Sequence, residues 1–192
     1  RLDLPSIEKE GKIYRELHDA GVENIAPFVC AGDLGHKTRV QDETISDWAR
    51  WGKKKAMYRH SHYRLVLGVV GRDLASFRST KELVTAIHDA VVAHKQVLEK
   101  GDIMHRDISV GNILILDTGR GILIDFDLCK RLEDMKKEAR ATERSGTWQF
   151  MSARLQNNPM VHPERADDLE SFLHVLTWIA LRYVPNGLSP QR

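Results

Sequence analysis

Apolar residues recur at helical spacing over three stretches of the chain and cluster at strand length over four others. The clearest helix opens on Ser79 and Glu82, a capping-box pattern in which the hydroxyl and the carboxylate each satisfy an orphan backbone N–H. Leu83, Ile87, Val91, His94 and Leu98 then line one face, and Gly101 ends it. A second helix runs from about Asp168 to Arg182, with Pro185 and Gly187 as its stop. Leu169, Phe172, Leu173, Leu176, Ile179 and Ala180 make it apolar over a broad face, which predicts burial. A third spans 6–20, where Ile7, Tyr14, Leu17 and Ala20 share a rough face interrupted by Gly11, with Gly21 as its stop.

Residues 25–31 read as a short strand that Pro27 pushes to a sheet edge. Tyr63–Val70 is rich in Val and Leu and reads as another, with Gly68 and Gly71 marking a change of direction. Ile113–Leu116 and Ile122–Ile124, joined by Asp117-Thr118-Gly119-Arg120-Gly121, form a β-hairpin by composition. Residues 130–145 are mostly charged and are expected to be mobile. Residues 32–60 are polar, carry Trp48 and Trp51, and take no assignment.

Composition narrows the class. Of 192 residues, 42% are hydrophobic and 29% charged, the balance of a globular chain. A formal net charge of +2 gives no support for a nucleic-acid or membrane partner, and Lys53-Lys54-Lys55 reads as a solvated loop. No apolar run reaches the ~20 residues of a membrane span. Cys30 and Cys129 stand far apart without metal-ligand spacing, as in reduced thiols of a cytoplasmic or nuclear protein.

The chemistry lies around the hairpin. Residues 105–112 read His-Arg-Asp-Ile-Ser-Val-Gly-Asn, and Asp125-Phe126-Asp127 follows the second hairpin strand. Either triplet alone is a weak signal; their order and spacing carry the weight. A hairpin sets its entrance beside its exit, so Asn112 and Asp125 can share one cation. Mg²⁺ suits a neutral and a charged oxygen plus a nucleotide's phosphates. Asp107, in a tight loop between helix and hairpin, fits a carboxylate that orients an attacking hydroxyl.

These residues resemble the fungal-type protein kinases. So do Gly71-Arg72-Asp73-Leu74, the run Ile103–Leu116, Gly146-Thr147-Trp148-Gln149-Phe150-Met151-Ser152 and Asp167-Asp168-Leu169-Glu170-Ser171-Phe172. The resemblance extends from about residue 6 to 184. It implies an α+β, bilobal protein-kinase-like fold that is incomplete in this chain. Residues 1–70 would be a partial small lobe of one helix plus antiparallel strands. Residues 71–192 would be a mostly helical large lobe lacking its last helices.

The resemblance also implies ATP and Mg²⁺ as cofactors and Ser or Thr of a protein as substrate. Asp107 would be the catalytic base, with His105 packed beneath it, and Asn112 and Asp125 the metal ligands. Arg106 would receive a phosphate carried by Thr142, Ser145 or Thr147. Asp168 would hold the catalytic loop's backbone, besides favouring its helix N-terminus. Backbone groups near Leu67 and Val69 would meet adenine, Leu114 would cover it, and Asp73 would reach the ribose. Glu10 would partner the phosphate-binding lysine, with Glu8 and Glu16 as competitors.

The chain departs from the kinase pattern in several places. It carries no Gly-x-Gly-x-x-Gly loop and no strand with the nucleotide lysine. It is therefore expected to be a piece of a longer kinase, with impaired activity on its own. Ser109 stands where Ser/Thr kinases carry a phosphate-contacting lysine. Asp127 replaces a glycine, so the turn is expected to lose access to positive φ. Arg154 replaces a glutamate, so the end of the activation segment is expected to be loosely held. A pseudokinase or interaction scaffold is the alternative function, and a small-molecule phosphotransferase a further one.

Overall fold

The computed structural model describes residues 9–33, 62–137, 146–158 and 160–185. In chain order its elements are α1 (Glu10–Asp19), β1 (Phe28–Asp33), β2 (Tyr63–Leu67), β3 (Arg72–Asp73), α2 (Thr80–Gly101), β4 (Ile103–Met104), β5 (Ile113–Ile115), β6 (Gly121–Leu123), β7 (Lys130–Arg131), α3 (Leu132–Lys137), α4 (Ala153–Asn157) and α5 (Arg165–Tyr183). Helices and antiparallel strands are mixed, an α+β arrangement compatible with a kinase-like fold.

Helix α2 packs against α1, α5, β4, β5 and β6. Its start departs from the predicted capping box in one respect. The Ser79 hydroxyl accepts the Glu82 N–H at 3.1 Å. The Glu82 carboxylate instead accepts Arg78 N–H at 2.6 Å and the Arg72 guanidinium at 2.7 Å, because a cation on β3 outbids the cap. The buried face is also rotated from the predicted one. Leu83, Ala86, Ile87, Asp89, Ala90, Ala93, His94 and Val97 are buried, whereas Val91 and Leu98 are only half-buried. The alanines let a strand approach closely: a Cβ on Gly121 would lie 2.2 Å from the Ala86 carbonyl oxygen. Gly121 therefore belongs to β6 rather than to the turn. Gly101 is still helical, and Asp102, at φ 53°, is the left-handed cap.

The hairpin forms as expected, with Ile113 opposite Leu123 and Ile115 opposite Gly121. Strand β3 adds to it through Asp73 opposite Leu114, giving the order β3-β5-β6. Strands β1 and β2 pair in a second antiparallel sheet. The strand expected at 25–31 is displaced to Phe28–Asp33. Ile25 bridges to Leu123 instead, and Pro27 offers only its carbonyl, which accepts Gly68 N–H at 2.6 Å. The strand expected over Tyr63–Val70 ends at Leu67.

Two further expectations change. Residues 130–137, read as mobile, form β7 against β4 and then α3; 138–145 lie outside the described residues. Helix α1 starts at Glu10 and buries Gly11, Ile13, Tyr14 and Leu17, while Ala20 is exposed; Ile7 and Glu8 lie outside the described residues. Gly11 is a point of close approach, since a Cβ there would meet Ala31 Cβ at 2.4 Å and the Tyr63 hydroxyl at 2.5 Å.

Helix α5 is half as buried as its apolar face predicts. Asp167, Asp168, Ser171, Phe172, Val175 and Ile179 are buried, but Leu169, Leu173, Leu181 and Tyr183 are exposed. It meets α2 and the turn at Trp148–Phe150 along one stripe, and the apolar residues beside that stripe face outward. Among the described residues no helix is long and apolar enough to cross a membrane.

Candidate active site

The loop after β4 is fixed from beneath by α5. The Asp168 carboxylate accepts Arg106 N–H at 3.3 Å and lies 2.9 Å from His94 Nε2. This contact meets a backbone at φ 69°, a conformation an arginine keeps only when its surroundings hold it. His105 is fully buried, and its ring is tilted against Phe126 with centroids 4.9 Å apart. Its Nε2 lies 3.1 Å from the Ile124 carbonyl, which can only accept, so that nitrogen carries the proton. Nδ1 then accepts Asp107 N–H at 3.4 Å. Burial drives the His105 pKa below its ordinary value, which keeps the ring neutral.

Asp107 is held on both sides. Asn112 Nδ2 donates to the Asp107 carbonyl at 2.8 Å and to its Oδ2 at 3.2 Å. Oδ1 accepts the Thr147 N–H at 2.7 Å and the Thr147 hydroxyl at 2.8 Å. Gly146 allows this approach: its φ is +113°, and a Cβ there would lie 2.7 Å from the Arg106 carbonyl oxygen.

The two ends of the hairpin meet. Ile124 N–H donates to the Asn112 carbonyl at 3.0 Å, which brings Asp125 beside Asn112. Asp125 sits at φ 68°, a strain of about 1–3 kcal/mol for a residue other than glycine. Its N–H donates to the Tyr14 hydroxyl at 3.2 Å, and the next N–H, of Phe126, donates to Glu10 Oε1 at 3.0 Å. The Tyr14 ring meets Phe126 edge-on, with centroids 5.0 Å apart. The turn's left-handed residue is thus Asp125 and not residue 127. Asp127 has no positive φ and donates its N–H to Asp125 Oδ1 at 3.3 Å, so this conformation of the turn needs no glycine at 127.

The remaining predicted residues fall as follows. Glu10 faces the Asp125–Phe126 turn. Glu16 pairs with Arg131 and, at 3.5 Å, with Lys12. Leu67, Val69 and Leu114 pack at the margin of the core. Gly71 lies against Leu114, where a Cβ would be 2.7 Å from Leu114 Cβ, and Asp73 is exposed across the strand pair from Leu114. Arg106 donates to the Leu128 carbonyl at 3.4 Å. Ser109 is buried. Thr142 and Ser145 lie outside the described residues.

Arg154 corrects an expectation. Its guanidinium donates from Nη2 to Asp167 at 2.5 Å and to the His162 carbonyl at 2.8 Å, and from Nη1 to Glu164 at 3.2 Å. The Ser152 hydroxyl donates to Asp167 at 2.6 Å. The segment's end is therefore fastened by a local ion pair. Burial alone would raise the Asp167 pKa, but hydrogen bonds from Arg154 and Ser152 outweigh it and hold the carboxyl below its usual range. Sequence reasoning also missed Tyr14 as a polar contact and the buried Asp89. Asp89 binds Arg120 at 2.7 and 2.8 Å and Gly121 N–H at 3.0 Å. An acid on the apolar side of a helix was the available signal.

The fungal protein kinase family matches residues 12–180 of the chain. The chain belongs to that family. No curated protein matches it. As a fungal protein kinase it is expected to work with a nucleotide and a divalent cation, and its residues fit such a group. Asn112 Nδ2 is committed to Asp107, which leaves its Oδ1 as the hard oxygen that could join the Asp125 carboxylate in holding a cation. Among the described residues no three His, Cys, Asp or Glu gather into a metal cage. An ion held by two protein oxygens and completed by phosphates and water is the mode Mg²⁺ prefers.

Proposed function

We propose that this fungal protein kinase transfers the γ-phosphate of ATP to serine or threonine of protein substrates. The observation that carries this reading is the convergence of Asp107, Asn112 and Asp125. Asn112 binds Asp107 with its side chain, and its own carbonyl receives the N–H that precedes Asp125. Phosphoryl transfer asks a protein mainly for positioning and charge neutralisation. Mg²⁺, held by Asn112 and Asp125, would supply the neutralisation when bound. Asp107 orients the substrate hydroxyl and takes its proton. Thr147 supports a hydroxyl amino acid, because its own hydroxyl rests 2.8 Å from the Asp107 carboxylate, the contact an acceptor needs.

Residues 1–70 would form the partial small lobe and 71–192 the large one. Adenine would meet the backbone near Leu67 and Val69 and lie on Leu114, with its ribose near Asp73. A protein substrate is favoured over a small molecule by the segment Gly146–Asn157, which Ser152 and Arg154 fasten to α5 beside Asp107. A reducing compartment, cytoplasm or nucleus, suits Cys30 and Cys129 as reduced thiols.

The test is Mg²⁺-dependent ATP binding by the full-length protein, followed by phosphoamino-acid analysis of a labelled protein substrate. Asp125→Ala should abolish the Mg²⁺ dependence, and label should appear on Ser or Thr. Binding that ignores Mg²⁺, or an unaltered response in Asp125→Ala, refutes the proposal.

A further inference from the structure

We propose that the Tyr14 hydroxyl is a positioning group for the Asp125 turn. It holds the Asp125 backbone N–H and, with it, the left-handed conformation that orients the Asp125 carboxylate. Its bearing on a metal rests on the function proposed above; the contact itself does not.

Glu10 and Tyr14 stand one turn apart on α1, the spacing that puts two side chains on one face. They meet successive amides, Phe126 N–H at 3.0 Å and Asp125 N–H at 3.2 Å. Tyr14 is fully buried. Its edge-on contact with Phe126 needs only a ring, so a phenylalanine would pack equally well there. A hydroxyl taken out of water costs stability unless it finds a partner, and here the partner is Asp125. Burial, reinforced by the Glu10 charge, pushes the phenol's pKa far upward. It therefore stays neutral.

Asp125 supplies the second half of the argument. At φ 68° it lies where non-glycine residues stay only when surrounding structure over-determines them. The Asp127 N–H to Asp125 Oδ1 bond is internal to the turn and cannot set the turn relative to α1. Tyr14 and Glu10 make that connection, and Glu16, two residues further along α1, pairs with Arg131 of β7. A shift of α1 would thus be felt at the Asp125 carboxylate through the Tyr14 hydroxyl. Tyr14 touches no reacting atom and acts through Asp125.

Tyr14→Phe in the full-length protein removes the hydroxyl and keeps the ring. Backbone amide exchange, followed by NMR without nucleotide, should quicken at Asp125 by about 10-fold, while Phe126 and the α2 amides stay within about 2-fold. The Mg²⁺ midpoint for ADP binding should rise roughly 10-fold, with ADP affinity at saturating Mg²⁺ unchanged. A purely structural role would move neither reading selectively. Unchanged exchange at Asp125, or a uniform rise across α1, α2 and β6, overturns the proposal. A wild-type protein whose ADP binding ignores Mg²⁺ would instead sink the kinase reading, while the exchange result would still decide the role of Tyr14.

Discussion

In the proposed function the hairpin base at Asn112 and Asp125 and the strand end at 67–70 serve one nucleotide, yet they are built differently. Around Asp107 and Asp125, successive backbone groups end on buried or half-buried side chains: Arg106 N–H on Asp168, the Asp107 carbonyl on Asn112, Asp125 N–H on Tyr14, Phe126 N–H on the half-buried Glu10. At the strand end, Gly68 N–H meets the Pro27 carbonyl and Val70 is 90% exposed. A metal ion and a reacting phosphate demand placement to a fraction of an ångström, which buried polar cross-links provide. A flat base met by backbone groups demands less.

Substitutions can break this contrast. Asp168→Ala should have the largest effect on stability, about 3 kcal/mol in urea denaturation, because it strands Arg106 N–H and His94 in the interior. A loss below about 1 kcal/mol would mean the catalytic loop is held by something else. Asp89→Ala, which orphans Gly121 N–H and frees Arg120, should cost about 2 kcal/mol. The hairpin base would loosen with it, and faster amide exchange at Ile124 is the readout.

Arg154→Ala should cost about 1–2 kcal/mol and alter the acid limb of the stability curve. The Asp167 pKa is depressed in the folded state. Its contribution is therefore complete above about pH 4, the ordinary carboxylate value, and disappears as pH falls through the lower folded value. Denaturation profiles of wild type and Arg154→Ala should converge as pH falls below the ordinary carboxylate range and Asp167 protonates. Parallel profiles would show that the pair is not what fastens the segment. The smallest effect belongs to the strand end: Val70→Ser should change stability by no more than about 0.5 kcal/mol. A larger loss would erase the contrast itself.

What could be read beforehand follows the range of the interactions. The hairpin and α2 announce themselves through local period and turn chemistry, and His105–Asn112 with Asp125 through spacing alone. Contacts between distant residues left no such trace. Tyr14 meets Asp125 across 111 positions, and in the chain it looks like any apolar residue on a helix face. Arg154 in place of a glutamate suggested a loosely held segment end, whereas Asp167, 13 positions away, fastens it. Glu82 matched a capping box until Arg72 drew it aside. For α5, periodicity marked which residues are apolar but not how many of them a neighbour covers.

The central claim is that Asp107, Asn112 and Asp125 form one phosphoryl-transfer site. Single-turnover transfer of the ATP γ-phosphate to a protein substrate, comparing wild type with Asp107→Asn in the full-length protein, tests it most directly. The account predicts a loss on the order of 10³-fold with nucleotide binding retained. Wild-type turnover by Asp107→Asn would contradict it.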